Sequence, residues 1–227
     1  MYARAVPTSS RAFVRQHTRL QAVPTLAPIR LHLADDVLAL WRATQLATRD
    51  PEAPLPYWAF AWAGGMAIAR YLREHPEAVT GRRVVDLGSG SGLCAISAMR
   101  AGAASATAID IDLFAAAAIE VNAQANGVRV SVARRDVLDD DPPEADVILT
   151  GDCWYEAGLA ARVMPWLRRA RDAGADVLVG DPGRRYLPTD ELAKLASYDV
   201  RTTTELEDLD LKRGTVYALR GGSGASA

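Results

Sequence analysis

The sequence predicts an α/β fold: a doubly wound, mostly parallel seven-stranded sheet with an antiparallel edge and an N-terminal helical extension. Three observations carry that expectation. β-rich runs and helical stretches alternate from residue 82 to residue 196, which lays successive strands side by side in parallel. The last two β-rich runs have no helix between them, as in an antiparallel edge pair. A glycine-rich turn joins the first strand of the alternation to its first helix.

Taken in order, residues 1–10 and the tail 220–227 (RGGSGASA) are expected to be disordered. Residues 11–80 form an extension ahead of the sheet. Within it, 36–44 (DVLALWRAT) and 65–72 (GMAIARYL) carry apolar residues at helical spacing, separated by the proline-bearing stretch 51–56. The extension is expected to act as a lid over the ligand end of the sheet. The domain proper spans 81–219. Its strands are expected at 82–87, 105–109, 128–133, 145–150 and 175–180, and its helices at 93–101, 113–126, 159–173 and 190–196. Gly127 and Gly174 stop two of those helices. The edge strands are expected at 198–205 and 215–219.

Composition narrows the class. Apolar residues make up 49% of the chain, which excludes a disordered protein. A net charge of -2 gives no overall case for nucleic-acid binding, and no run of apolar residues is long enough to span a membrane. The arginines of residues 1–20 and the acids of 139–146 read as solvated surface. Cys94 and Cys153 have no C-x-x-C spacing and lie in or beside apolar runs, so free buried thiols in a reducing compartment are expected. The expected location is cytoplasmic and the expected state monomeric. His17, His32 and His75 are dispersed, and no metal site is expected.

The chemistry concentrates at 84–92 (VVDLGSGSG). Gly88, Gly90 and Gly92 let the backbone turn tightly and approach a ligand, and the following helix N-terminus offers free N–H groups to a negative group. The dinucleotide fingerprint G-x-G-x-x-G/A would need its third glycine where Leu93 stands; here it comes one residue early, at Gly92. That G-x-G-x-G form resembles S-adenosylmethionine methyltransferases, in which the negative group is the methionine carboxylate. Asp86 either orients the loop or receives the cofactor's ammonium. Asp110, ending the next strand, suits two ribose hydroxyls, with Asp112 as competitor. Ile111 would lie against the adenine, and Asp136 would accept from the adenine amino group.

Further segments narrow the resemblance. The stretch 56–72 (PYWAFAWAGGMAIARYL), Asp152 and Tyr155 in GDCWYE, and 180–188 (GDPGRRYLP) are similar to elements of the electron-transfer-flavoprotein beta-subunit lysine methyltransferases. Residues 13–20 and 29–33 are similar to that family's N-terminal arm, so the likeness spans roughly 11–219. Two departures fall in the arm, His17 in place of asparagine and Ala27-Pro28 in place of proline-glutamate; they bear on the acceptor, not on the cofactor.

The resemblance implies S-adenosylmethionine as cofactor and a protein lysine, on the beta subunit of electron transfer flavoprotein, as acceptor. Asp152 would hold the incoming amine and Tyr155 shape its slot, with Trp154 as an apolar wall or cation–π partner. Trp58 and Trp62, four apart, would share a helical face, with Trp62 covering the cofactor. Arg184 would either contact an acidic patch of the substrate or brace Asp152. The alternatives are a ribosomal-protein, other protein-lysine or small-amine acceptor, an NAD-dependent oxidoreductase, and a non-catalytic binding module.

Overall fold

A computed structural model of the chain describes residues 8–201 and 211–221. Its centre is a seven-stranded sheet built from β3 (Arg83–Leu87), β4 (Ser105–Asp110), β5 (Ser131–Arg134), β6 (Val147–Gly151), β7 (Asp176–Asp181), β8 (Leu192–Arg201) and β9 (Leu211–Leu219). The spatial order is β5-β4-β3-β6-β7-β9-β8. The first five pair in parallel; β9 runs antiparallel to both β7 and β8. The direction of winding reverses between β3 and β6, where such sheets open a crevice. β3 and β6 are buried almost throughout, as sequence runs without polar alternation require in a sheet covered on both faces.

Helices α4 (Leu93–Arg100), α5 (Leu113–Ala125) and α6 (Ala157–Asp172) link the strands. No helix stands between β5 and β6; residues 135–146 make that crossover as a loop. α5 is nearly all alanine and apolar residues, and nine of its residues are buried. A helix apolar on every side must be covered on every side. Its outer face is covered by α1 (Thr8–His17) and by a hairpin of β1 (Arg19–Ala22) and β2 (Arg30–Leu33). Phe13 stacks on Phe114, Arg11 pairs with Glu120, and Asn122 and Asn126 accept the N–H groups of His32 and Arg30.

Four expectations are corrected. The extension is more than a cover at the ligand end, where its Phe60 and Trp62 line a cleft. Its helix α3 (Ala63–Glu74) is a layer of the sheet itself: Met66, Ala67, Ile68 and Leu72 are fully buried in one core with Val147, Leu149 and Val216. A domain boundary at residue 81 would therefore cut through a shared core.

The helix expected at 190–196 is a single 3-10 turn, Thr189–Glu191, followed by β8. A bulge between Lys194 and Ala196 shifts the register of β8 on β9 and breaks its alternation, which leaves Leu195 exposed. Pairing to β9 overrides the helical propensity of the segment. The rest of the strand expected at 198–205 lies outside the described residues beyond Arg201.

Residues 8–10 are helical, and 1–7 lie outside the described residues. Arg220 is tied by its N–H to Glu191 O and by its guanidinium to Leu192 O, so the expected disorder does not begin there; 222–227 lie outside the described residues.

Trp58 and Trp62 do not share a helical face. Trp58 lies in a 3-10 turn, Tyr57–Ala59, packed near Phe114; Trp62 is the extended residue before α3.

Candidate active site

The C-terminal ends of β3, β4, β6 and β7 deliver Leu87, Asp110, Gly151 and Asp181 to one edge of the sheet. A cleft opens there, lined by Phe60, Trp62, Asp86, the glycine loop and Asp152. Gly88, Gly90 and Gly92 all have positive φ, +65°, +54° and +85°. Around Gly90 there is room for ligand: a Cβ there meets only Trp58 Cα, at 3.7 Å. Gly90→Val is therefore expected to fold, at a backbone cost of about 1–3 kcal/mol, and to lose stabilisation by S-adenosylmethionine. A full cofactor-induced rise in melting temperature would show that Gly90 does not face the ligand.

Asp86 is 1% exposed, and its Oδ2 accepts Ser89 Oγ–H at 2.6 Å and Ala95 N–H at 3.0 Å. These bonds hold the glycine loop through Oδ2, one of the two roles expected of Asp86. Burial raises its carboxyl to about 6. Asp112 caps α5, accepting the N–H groups of Phe114 and Ala115. Asp110 is thereby left as the ribose candidate. Its Oδ2 accepts Gly90 N–H and its Oδ1 accepts Asp112 N–H, and each oxygen keeps a lone pair for a ribose hydroxyl. Ile111 beside it is 70% exposed, an open apolar shelf for a ring. Asp136 is already engaged, accepting Leu138 N–H and pairing with Arg162 at 2.9 Å; Arg162 holds it below the usual carboxylate range. Each oxygen still keeps a lone pair, so Asp136 retains capacity to accept from the adenine amino group.

Burial also raises Asp110 to about 6 from an ordinary 3.8. The folded state then holds protons that the unfolded chain releases, so this group's contribution to stability falls as pH rises from about 4 to 6. The ionised carboxylate is the stronger acceptor for two ribose hydroxyls. Affinity for S-adenosylmethionine is therefore expected to weaken as pH falls below about 6, and Asp110→Asn to bind weakly at every pH. Calorimetric titration from pH 5 to 8 tests this; a wild-type affinity flat across the range would contradict it.

Across the cleft stands a charged network. Asp152 takes a left-handed backbone, φ +62°, at the end of β6. Its Oδ1 accepts Gly64 N–H and an Arg184 Nη1–H, and its Oδ2 accepts Gly65 N–H at 2.8 Å. Asp181 is fully buried; its Oδ1 accepts the N–H groups of Gly183 and Arg184, and its Oδ2 lies 3.2 Å from Arg184 Nη1. Burial works against the charge on Arg184, but the two carboxylates hold it above its ordinary value. Arg184 thus braces Asp152, one of the two roles expected of it.

The network depends on close backbone approach. A Cβ on Gly64 would lie 2.2 Å from Gly180 O, and one on Gly180 equally close to Gly64 O. These glycines bring the start of α3 against β7, where its N–H groups reach Asp152. No φ signals them in the sequence; the hint was the adjacent pair Gly64–Gly65.

Tyr155 is half exposed. It stacks near Tyr57, ring centroids 5.5 Å apart, and Tyr57 lies 5.9 Å from Trp62, whose Nε1–H donates to Tyr57 O. Tyr57 completes an aromatic rim that sequence reasoning missed. Burial pushes the Tyr155 phenol to about 12, so it stays protonated. Trp154 is not part of this rim: it is fully buried in the core under α6 with Val163 and Leu167, and the expected substrate contact is corrected to packing. Cys94 and Cys153 are free and buried as expected, and burial pushes both thiols up, Cys153 to about 12. Among the described residues no His, Cys, Asp and Glu group could hold a metal, and no helix is long and apolar enough to cross a membrane.

Comparison with known proteins agrees with this geometry. The chain is 35% identical to the electron transfer flavoprotein beta subunit lysine methyltransferase of Xenopus laevis over 224 residues, covering 95% of this chain and 89% of that protein. The chain belongs to the electron transfer flavoprotein beta subunit lysine methyltransferase family. The human member is 32% identical, covering 92% of this chain and 82% of that one. A family model for ribosomal protein L11 methyltransferase (PrmA) matches residues 71–151. In fold, the chain is similar to a ribosomal protein L11 methylase from Lactobacillus delbrueckii subsp. bulgaricus, with a TM-score of 0.51 and 21% identity over 71% of this chain and 81% of that one. The cofactor of this family member is S-adenosylmethionine. The residues present fit it: a glycine cradle open at Gly90, the helix N-terminus behind it, and Asp110 with acceptor capacity to spare.

Proposed function

We propose that this methyltransferase modifies lysine side chains of the electron transfer flavoprotein beta subunit. The observation that carries the proposal is the rim of Tyr57, Trp62 and Tyr155 beside Asp152, at the sheet edge that holds the glycine loop. A lysine side chain, apolar along its stem and cationic at its tip, suits aromatic walls that end at a carboxylate.

Bound S-adenosylmethionine supplies a methyl group on a sulfonium. The chain's own residues do the rest. The glycine loop and Asp110 fix the donor, while Phe60 and Trp62 close the cleft over it. Alignment of amine and methyl accounts for most of the acceleration. A lysine in solution loses its proton near pH 10.4, and partial desolvation against the aromatic rim favours the neutral amine. Asp152 Oδ2, which receives Gly65 N–H, keeps acceptor capacity to orient an amine N–H. Tyr155 Oη, protonated, completes the slot.

The names of the full-length relatives support this acceptor. The ribosomal-protein family match ends at Gly151, before Asp152, Tyr155 and Arg184, so it bears on the cofactor half alone. We take the enzyme to be a cytoplasmic monomer acting on protein rather than on nucleic acid or membrane. A panel of acceptors offered in parallel with methyl-labelled cofactor tests the reading. Label is expected in the flavoprotein beta subunit, with less than a tenth as much in ribosomal protein L11 or free lysine. Preferred labelling of either of the latter would overturn it.

A further inference from the structure

Helix α2 (Val37–Thr48) plays no part in the site described above, and its outward face is unusual. Only Val37, Leu40 and Thr44 of its residues are buried. On the opposite side stand Leu38, 55% exposed, and Leu46, 80% exposed, with Arg42 and Arg49 exposed between and beyond them. At 100° per residue, positions 38, 42 and 46 fall within one quarter of the helix circumference, and Arg49 is the left-handed residue that ends the helix beyond them. The helix contains no acidic residue, and neither arginine has an ion-pair partner among the described residues. Asp36, just before it, is spent capping Ala39 N–H. Two leucines interleaved with two unpaired guanidiniums do not form a stripe that covers this protein's own core.

Placement gives the face a purpose. Val37 and Leu40 pack in one cluster with Trp58 and Phe60, and Ala34 N–H donates to Ala59 O. α2 is thus mounted on the short segment that carries the aromatic rim, with Tyr57 at one end and Trp62 at the other. Trp41 Nε1–H donates to Ala53 O and Gln45 to Pro51 O, which fastens the loop leading from α2 to that rim. A protein that presents a lysine to the rim of Tyr57, Trp62 and Tyr155 lies against the neighbouring surface of the enzyme.

We propose that the outward face of α2 is a docking surface for the folded acceptor protein, and that it takes an apolar patch bordered by carboxylates. The proposal rests on the protein-lysine reading above. The leucines supply buried area, and the arginines supply pairing and choice of partner. A short peptide that fills only the slot does not reach α2.

The test compares two substrates, the folded flavoprotein beta subunit and a short peptide holding its acceptor lysine. Leu38→Asp/Leu46→Asp and Arg42→Glu/Arg49→Glu, all at exposed positions, are expected to melt within a few degrees of wild type and to keep the full stabilisation by S-adenosylmethionine. On the folded subunit kcat/KM is expected to fall at least tenfold, through KM, while turnover of the peptide changes less than twofold. KM of the wild type for the folded subunit is also expected to rise with salt, and that of the arginine variant much less. Unchanged KM on the folded subunit, or equal losses on both substrates, would overturn the docking face. A wild type inert toward the flavoprotein subunit would instead strike the choice of acceptor, so the two readings fail separately.

Discussion

Asp152→Ala is expected to abolish methyl transfer and to destabilise the protein by about 3–5 kcal/mol, because it leaves Arg184 buried beside a single carboxylate and strips two N–H groups at the start of α3 of their acceptor. With Asp152 read from sequence as the residue that holds the incoming amine, its loss would leave cofactor binding nearly intact. The structure makes Asp152 a support of the cleft wall as well, so cofactor binding should weaken with stability. Asp152→Asn separates the two roles. It keeps one acceptor oxygen, so one of the Gly64 and Gly65 N–H groups retains its partner while the other faces the amide nitrogen, and it loses the charge. It is expected to be destabilised less than Asp152→Ala, to bind S-adenosylmethionine within about tenfold of wild type, and to lose at least about a hundredfold in kcat. Thermal melting with and without cofactor, beside single-turnover transfer, checks each part. Wild-type turnover in Asp152→Asn would reduce Asp152 to a structural brace.

Gly180→Ala is expected to cost about 3 kcal/mol or more and to abolish activity through the fold. The added methyl meets Gly64 O at 2.2 Å and Ile68 Cγ1 at 2.8 Å, and a backbone carbonyl cannot step aside as a side-chain tip can. α3 must then lift from β7, carrying Gly64 and Gly65 away from Asp152. Chemical denaturation measures the loss; a variant within about 0.5 kcal/mol of wild type would show that the contact is looser than described.

These two residues mark where sequence reasoning stops. Asp152 was legible as a functional carboxylate because a strand ended just before it, at the edge that also holds the glycine loop. Of its partners, Arg184 was offered as one of two alternatives, while Gly64 and Gly65 were not legible, because they reach it only through the packing of α3. Gly180 carried no signal, since its backbone conformation is ordinary and only proximity demands a hydrogen there.

The parallel strands and α4, α5 and α6 were readable from periodicity, which local burial enforces. The second half of β8 was readable as an edge strand, but its first half was not, because the bulge between Lys194 and Ala196 breaks the alternation that betrays a strand. Trp154 and Trp62 show the same limit in side chains. Both are tryptophans near the site in sequence, but one packs into the core under α6 and the other stays at the cleft. The cofactor pocket was the most legible part, since Gly88, Gly90, Gly92 and Asp110 lie on consecutive connections of one alternating pattern. The aromatic rim was half legible: Tyr155 came with its motif, and Tyr57 became apparent only when the two rings met in space.

The most direct test is the intact mass of purified electron transfer flavoprotein beta subunit after incubation with this enzyme and S-adenosylmethionine, followed by mapping of the modified residue. Mass gains in steps of one methylene, located on lysine and missing with Asp152→Asn, are the predicted result. An unchanged mass, from an enzyme that S-adenosylmethionine demonstrably stabilises, would contradict the assigned acceptor.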